Sequence, residues 1–391
     1  MKTATVTWIT YNNYGTLLQA YALQKKIEQL GHENVILSDQ EILKAYRANK
    51  PKTVQCKSDV QNESKSPNAL SRLAGIAAHP GKIRRSVLAR TDQEKYERPY
   101  EDSQRMCDSF KQTELKILEA VTTENLPELN QKFDAFIAGS DQVWSVFDSI
   151  FNPYYYLDFA TKKKIAYAPS LGTDKISEKT GETVKQLLSD YVAVSVRESV
   201  SAQQLSDLTG RKIAWVADPT LLHDQLFWEA FTAEIPALEK KYLLCYFLEN
   251  KDWYFEYARR LAKQLHLSIV LIPNKWDYLS SEYVTESGVG PKEFVSLIQQ
   301  AEYVLTDSYH GTIFSLIFKR RFQYLLRFAL DDPHSQNIRV QSLFNYLELN
   351  SRIVKDCSDT FPEIEMEYNA IIKKIKVFRS KSVRYLEDNL K

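Results

Sequence analysis

Nowhere in its 391 residues does this chain carry a run of about 18 apolar residues, so no segment reads as a membrane-spanning helix. Its start, MKTATVTWITYNN, has one lysine followed by an alternating Thr- and Trp-bearing segment. It has no apolar core with a small-residue cleavage site, does not read as a leader peptide, and the expected location is the cytosol. Cysteine is scarce. Cys56, Cys107, Cys245 and Cys357 are far apart and form no C-x-x-C pair, which excludes a zinc ribbon and a disulfide framework and suits free thiols in a reducing compartment. No excess charge of one sign is present either: 51 basic residues face 50 acidic ones, which argues against a nucleic-acid partner. With no dense carboxylate or histidine cluster, no metal and no bound cofactor are expected.

What is present is the material of a folded α/β protein. Hydrophobic residues make up 44% of the chain, with 23 tyrosines and 18 phenylalanines. The length suggests two or three domains, and two is the simpler reading. The first forty residues form one strand–loop–helix–strand unit: TATVTWI alternates, TYNNYG is a polar turn, and TLLQAYALQKKIEQL has helical spacing closed by Gly31. Short apolar strands then alternate with helices through FDAFIA, KIAYAP, VAVSVRES and IAWVAD, and again through KYLLCYFL, LSIVLIP, YVLTDS and RFQYLL. Such alternation predicts parallel sheets. The expected division is an N-terminal Rossmann-like domain over 1–215, a C-terminal one over 216–360, and an amphipathic helix over 361–391. Ligands of doubly wound sheets bind beyond the C-terminal strand ends, so a cleft between the halves is the expected site.

One segment departs from this pattern. Between Lys44 and Arg90 eleven basic residues face only Asp59 and Glu63, among many Pro, Ser and Asn residues. The sequence predicts a basic, mobile insertion over about 44–115, either a solvated excursion or a contact for an anionic membrane surface.

Four turns follow strands and point toward the presumed cleft: YNNYGTLLQ, AGSDQVW, APSLG and TDSYHGT. In the last, a helix start would leave the N–H groups of Gly311, Thr312 and Ile313 available to a phosphate or carboxylate. Gly311 would let that anion approach closely, and Ser308 and Thr312 add hydroxyls. His310 would stand beside the anion as a proton donor; spacing alone equally allows a residue of a helix cap. Arg197 ends an apolar strand, where it either grips an anion or forms a structural ion pair.

Taken together, NNYGTLLQAYALQKKIEQLGH, FDAFIAGSDQVW, IAYAPSLG, SVRES, ADPTLL and AEYVLTDSYHGTIFSLIFKRRF resemble the polysaccharide pyruvyl transferase family in order and approximate spacing. QNIRVQSLFNYLEL is similar to its segment after the histidine, so the likeness runs from about Thr7 to Leu349. The resemblance implies two Rossmann-type domains in a GT-B-like arrangement. It implies transfer of pyruvate from phosphoenolpyruvate onto two hydroxyls of a sugar in a bacterial surface polysaccharide, such as an exopolysaccharide or capsule, or its lipid-linked precursor. His310 matches the family's general acid and Arg197 one of its basic donor-binding positions. Ser308 and Tyr309 depart from relatives that carry arginine and an apolar residue there, and Arg327 or Arg339 would supply the missing charge.

In that scheme Asp141 would deprotonate the acceptor hydroxyl or simply cap a helix. Asn12, Asn13, Gly15, Gln19 and Ser140 would face the acceptor from the turns after the first strand and after FDAFIA, and Trp144 would stack on a sugar or fill core. The rival is a glycosyltransferase of the same shape with a nucleotide-sugar donor, since fold alone does not settle function.

Overall fold

A computed structural model describes residues 1–49, 98–147, 151–235, 241–273, 288–329, 332, 334–361 and 366–391. The strands β1 (Lys2–Val6), β2 (Glu33–Leu37), β3 (Ile117–Leu118), β4 (Ala135–Ala138) and β5 (Lys163–Ala166) form a parallel sheet of order β3-β2-β1-β4-β5. A short parallel pair, β6 (Ser195–Val196) and β7 (Ala214–Trp215), continues it through a bridge from Ile165 to Ala193. The second sheet has the order β12-β11-β10-β8-β9 and is also parallel. Its strands are β8 (Tyr242–Tyr246), β9 (Ser268–Ile272), β10 (Tyr303–Thr306), β11 (Arg321–Leu325) and β12 (Ile353–Val354). This is the expected GT-B-like pair of Rossmann-like domains, with β3 and β12 as two-residue edge strands that the sequence pattern did not announce.

Strand order reverses between β1 and β4 in the first sheet and between β8 and β10 in the second. Those are the topological switch points, beyond whose strand ends sheets of this kind take their ligands. The turns after β1, β4 and β10 are three of the four that the sequence picks out. β4 and β10 are buried at every position, as strands covered on both faces must be.

The halves are tied together twice. The Tyr368–Asn389 helix returns to the first domain, where Ser382 Oγ accepts from Ala217 N at 2.8 Å and Tyr385 donates to Ala166 O at 2.9 Å. Leu386 and Leu390 pack with Ile137 and Ile165 beneath the first sheet. The second tie comes from the expected insertion, whose ends are helices at Gln40–Asn49 and 98–114. The latter reaches the second domain: Val289 N donates to Ser103 Oγ at 2.8 Å, and Cys107 and Phe110 join the core of Tyr21, Trp228 and Phe231. Residues 50–97, which hold most of the basic segment and its expected membrane contact, lie outside the described residues. No helix among the described residues is long and apolar enough to cross a membrane.

Candidate active site in the interdomain cleft

The first domain brings two turns to the crevice. After β1, Asn13 caps the Tyr14–Gln29 helix by accepting from Thr16 N at 3.2 Å. One turn on, the buried Gln19 donates to Thr7 Oγ1 at 3.0 Å and accepts from Ser140 N at 3.2 Å. It thereby fixes the turn after β4 to the turn after β1. Ser140 donates to Ala168 O at 2.8 Å, and a Cβ on Gly139 would meet Tyr167 O at 2.3 Å, so that turn lies tight against β5. Asp141 follows with φ 63° and ψ −165°, a region that side chains rarely occupy and that costs about 1–3 kcal/mol. The strained backbone aims its carboxylate inward.

There it meets Arg197, which follows β6. The Arg197 guanidinium lies 3.5 Å from Asp141, 3.3 Å from Glu198 and 2.9 Å from Asp218, and its side chain has no exposed surface. Burial works against the charge, but Tyr309 and the three carboxylates outweigh it and hold Arg197 ionised. Glu198 is pushed above the ordinary range by burial, while Asp141 is held below it because Arg197, His310, Arg339 and Thr16 overcome burial.

Asp218 links this cage to the second domain. Its Oδ1 accepts from Thr220 N and Thr220 Oγ1, capping a short 3-10 turn, while Oδ2 receives Arg197 at 2.9 Å. His310 Nε2 stands 3.4 Å from the same Oδ2. Burial alone would raise the carboxyl of Asp218; His310, Arg197 and Thr220 together hold it well below the ordinary carboxylate range. One oxygen is therefore shared between an arginine of the first domain and a histidine of the second.

His310 lies in the first turn of the Tyr309–Ile317 helix after β10. The opposite face of its ring rests on Gly15, where an added Cβ would be 2.0 Å from Nδ1. Tyr309 is clasped between two cations, with Arg197 4.5 Å and Arg339 5.8 Å from its ring centre. Arg339, from the Ile338–Leu347 helix, donates to Gln336 at 3.3 Å, and its Nε has no hydrogen-bond partner among the described residues. Gln336 also accepts from Gln142 of the first domain at 2.9 Å, so the arginine sits on the domain seam. Burial and the charge of Arg197 push Arg339 below its usual value, which leaves it in want of an anion.

Several sequence expectations change here. Arg197 has no face turned to the cleft: its partners are carboxylates, and it serves as the pin of the cage rather than an open anion grip. Gly311 N is taken by the Ser308 side chain at 3.3 Å and Thr312 N by Ser308 O at 3.1 Å, so neither amide is free for a phosphate. The bare Cα of Gly311 accommodates Thr306 Oγ1, 2.7 Å from where a Cβ would stand, rather than a ligand. Thr312 Oγ1 likewise turns inward to Ser308 O. Ser140, Gln19 and Asn13 are spent on the turns they build. Trp144 is fully buried, stacked on Tyr156 at 4.9 Å with Nε1 donating to Tyr155 O, and cannot face a sugar. Arg327 pairs with Glu249 at 2.9 Å. Asn12 binds Asp108 of the 98–114 helix at 3.1 Å and stays near the opening. Asp141, ionised and tied to Arg197 and Thr16 Oγ1, is a weak base.

What the cleft does bring together is His310, Asp218, Arg339, Tyr309 and Gly15. Asp218 is the residue missed: in IAWVADPTLL the Asp-Pro pair reads as a strand breaker. An acidic residue at the end of an apolar strand, with a hydroxyl two positions on, was the available signal. No group of histidine, cysteine or carboxylate side chains able to hold a metal occurs among the described residues.

A profile of the family described as polysaccharide pyruvyl transferase matches residues 13–324, which takes in Gly15, Asp218, Tyr309 and His310 and stops short of Arg339. The chain belongs to the polysaccharide pyruvyl transferase family. No curated protein matches it in sequence. Among solved structures it is similar to the UDP-GlcNAc 2-epimerase of Methanocaldococcus jannaschii in complex with UDP-GlcNAc and UDP, at 12% identity and TM-score 0.45, covering 97% of this chain and 92% of that one. The Neisseria meningitidis UDP-GlcNAc 2-epimerase gives the same identity and score over 96% and 99%. The E. coli heptosyltransferase WaaC follows at 11% and 0.39 over 96% and 99%. Likenesses this distant say nothing of substrate.

Proposed function

We propose that this pyruvyl transferase takes its pyruvate from phosphoenolpyruvate and sets it as a cyclic ketal on two hydroxyls of a sugar. The acceptor belongs to a bacterial surface polysaccharide or its lipid-linked precursor, and the reaction runs on the inner side of the cell membrane. The observation that carries this reading is the His310–Asp218 pair at the domain seam with Arg339, a half-buried cation whose Nε has no hydrogen-bond partner among the described residues, beside it.

In this reading His310 delivers a proton to the methylene carbon of phosphoenolpyruvate, and C2 becomes an oxocarbenium-like electrophile. One sugar hydroxyl attacks C2 and returns its proton to His310, left neutral by the first transfer; phosphate leaves with its bond electrons, and a second hydroxyl closes the ring as its proton goes to phosphate. Arg339 holds the donor's carboxylate or phosphate and stabilises the charge on the departing group, while Arg327 stays on Glu249. Asp218 orients the imidazole, and the Arg197 cage orients Asp218. The roles of Ser308, Gly311 and Thr312 are to hold the helix start that presents His310.

A nucleotide-sugar donor would ask for a free acidic side chain near the second-domain site. Asp307 instead accepts from the backbone N–H groups of Leu248 and Glu249, and Glu302 pairs with Lys241 and Arg321. Thermal shift with phosphoenolpyruvate and with UDP separates the two: stabilisation by phosphoenolpyruvate is expected, and stabilisation by UDP alone would sink the proposal. Mass spectrometry of the surface glycan with and without the protein then reads the product, a missing pyruvate ketal being the expected loss.

A further inference from the structure

Beside the cleft, at the C-terminal ends of β1, β2 and β3, an open pocket of about 600 Å³ is walled on one side by the 98–114 helix. That volume lies in the range of small-ligand sites, and its position beyond the strand ends is where parallel sheets take ligands. Its floor is apolar, from Ile9, Leu115 and Ile117, and its rim is polar, from Thr10, Ser38, Gln40, Asp108, Gln112 and Glu119. None of the acceptor candidates expected from the sequence lines it.

The chemistry of the rim selects a class. Two side-chain amides and the Ser38 hydroxyl donate and accept, and the Thr10 hydroxyl, whose proton goes to Asp39, still accepts, which matches a ligand dense in hydroxyl groups. The one cation of the lining, Lys111, is matched by Asp108 at 2.8 Å. Among the described lining residues Glu119 then has no cationic partner, which disfavours a phosphate or uronate. The same turn serves both places: Thr10 lines the pocket, Asn12 bonds Asp108 at its edge with Oδ1 left unpartnered among the described residues, and Gly15 carries His310.

We infer that this pocket seats a neutral sugar residue of the acceptor glycan, held by Gln40 and Gln112 over the Ile9–Leu115–Ile117 floor. The inference rests on the glycan-acceptor reading above and deepens it: the unit recognised is uncharged, and the first domain presents it to His310.

The test is saturation-transfer NMR titration with methyl β-D-glucopyranoside, methyl β-D-galactopyranoside, methyl N-acetyl-β-D-glucosaminide and the anionic methyl β-D-glucuronide as probes. At least one neutral glycoside is expected to bind, with the glucuronide weaker than the best neutral one. Gln40→Ala with Gln112→Ala, both at exposed positions, is expected to weaken that binding about tenfold through two lost hydrogen bonds. Glu119→Gln is expected to narrow the gap to the glucuronide. Silence of all neutral probes, a glucuronide that binds best, or unchanged binding in the double variant would each overturn the inference. Phosphoenolpyruvate thermal shifts on the same proteins keep the readings apart: a wild type that ignores phosphoenolpyruvate strikes the donor assignment and leaves the sugar pocket standing.

Discussion

The imidazole of His310 rests on the bare Cα of Gly15, so a residue of the first domain sets the position of a histidine carried by the second. A Cβ at position 15 would stand 2.0 Å from Nδ1 and 2.5 Å from Cγ of the ring. Both atoms belong to a rigid ring whose other nitrogen stands 3.4 Å from Asp218, without a hydrogen-bond partner among the described residues. Gly15→Ala is therefore expected to tilt the imidazole out of place. A displacement of about 1 Å at a reacting group costs on the order of 100-fold in rate, while overpacking costs about 1–3 kcal/mol of stability. Phosphate release and a melting curve on the same preparation read both. Full turnover in G15A would mean that His310 does not need its present position.

Asp218 is expected to be as sensitive, for an electrostatic reason. One carboxylate oxygen serves Arg197 and His310 at once, so Asp218→Asn leaves a buried guanidinium with one compensating charge fewer. Breaking such a pair costs about 3–5 kcal/mol, though Asp141 and Glu198 still face Arg197 and put the expectation at the lower end. Its folded carboxyl titrates below the unfolded value of about 3.9, so the stability it adds is complete above that value and drains as acid protonates it. The acid limb of a stability–pH curve should flatten below about pH 4 in D218N.

Asp307 tilts the curve the other way. Burial pushes its carboxyl up to about 6 despite the two backbone amides and Arg327. The folded state therefore holds that proton more tightly than the unfolded chain, and the favourable contribution is whole below about pH 4. It is lost as pH rises through 6, by up to about 3 kcal/mol for a shift of roughly two units. Asp307→Asn lowers overall stability, since one amide loses its acceptor. Its distinctive sign is a flatter dependence between pH 4 and 7, measured as denaturant midpoints; an unchanged slope would refute the assignment.

Much of this architecture was legible because it rests on local pattern. The strand after each helix, the glycine that ends the first helix and the four turns at strand ends all follow from periodicity and turn chemistry. The position of His310 was legible for the same reason, since it follows an apolar strand and opens a helix. Partnerships were not. Whether Arg197 faces a ligand or three carboxylates depends on β6, β4 and the linker meeting in space, and nothing within SVRES records that. Trp144 shows the converse: beside GSDQ it resembles a sugar platform, yet Tyr156, twelve residues on, covers its face. The pocket beside the cleft escaped notice because its walls come from the turns after β1 and β2 and from the 98–114 helix, about sixty residues further along the chain.

The two arginines now separate by experiment. Arg197→Lys keeps the charge but replaces a fully buried planar fork, faced by three carboxylates, by a single ammonium. It should destabilise the fold by several kcal/mol, of the order found for other broken buried pairs. Any loss of phosphoenolpyruvate response should then follow the loss of structure. Arg339 is only partly exposed, but its partners are one glutamine and the face of Tyr309, with Nε unpaired. Arg339→Lys should therefore melt near the wild-type temperature while its KM for phosphoenolpyruvate rises about tenfold or more, the worth of a bidentate grip on an anion. If instead R339K binds phosphoenolpyruvate normally and R197K, still folded, does not, the donor anion belongs on Arg197 and the cage must open to receive it.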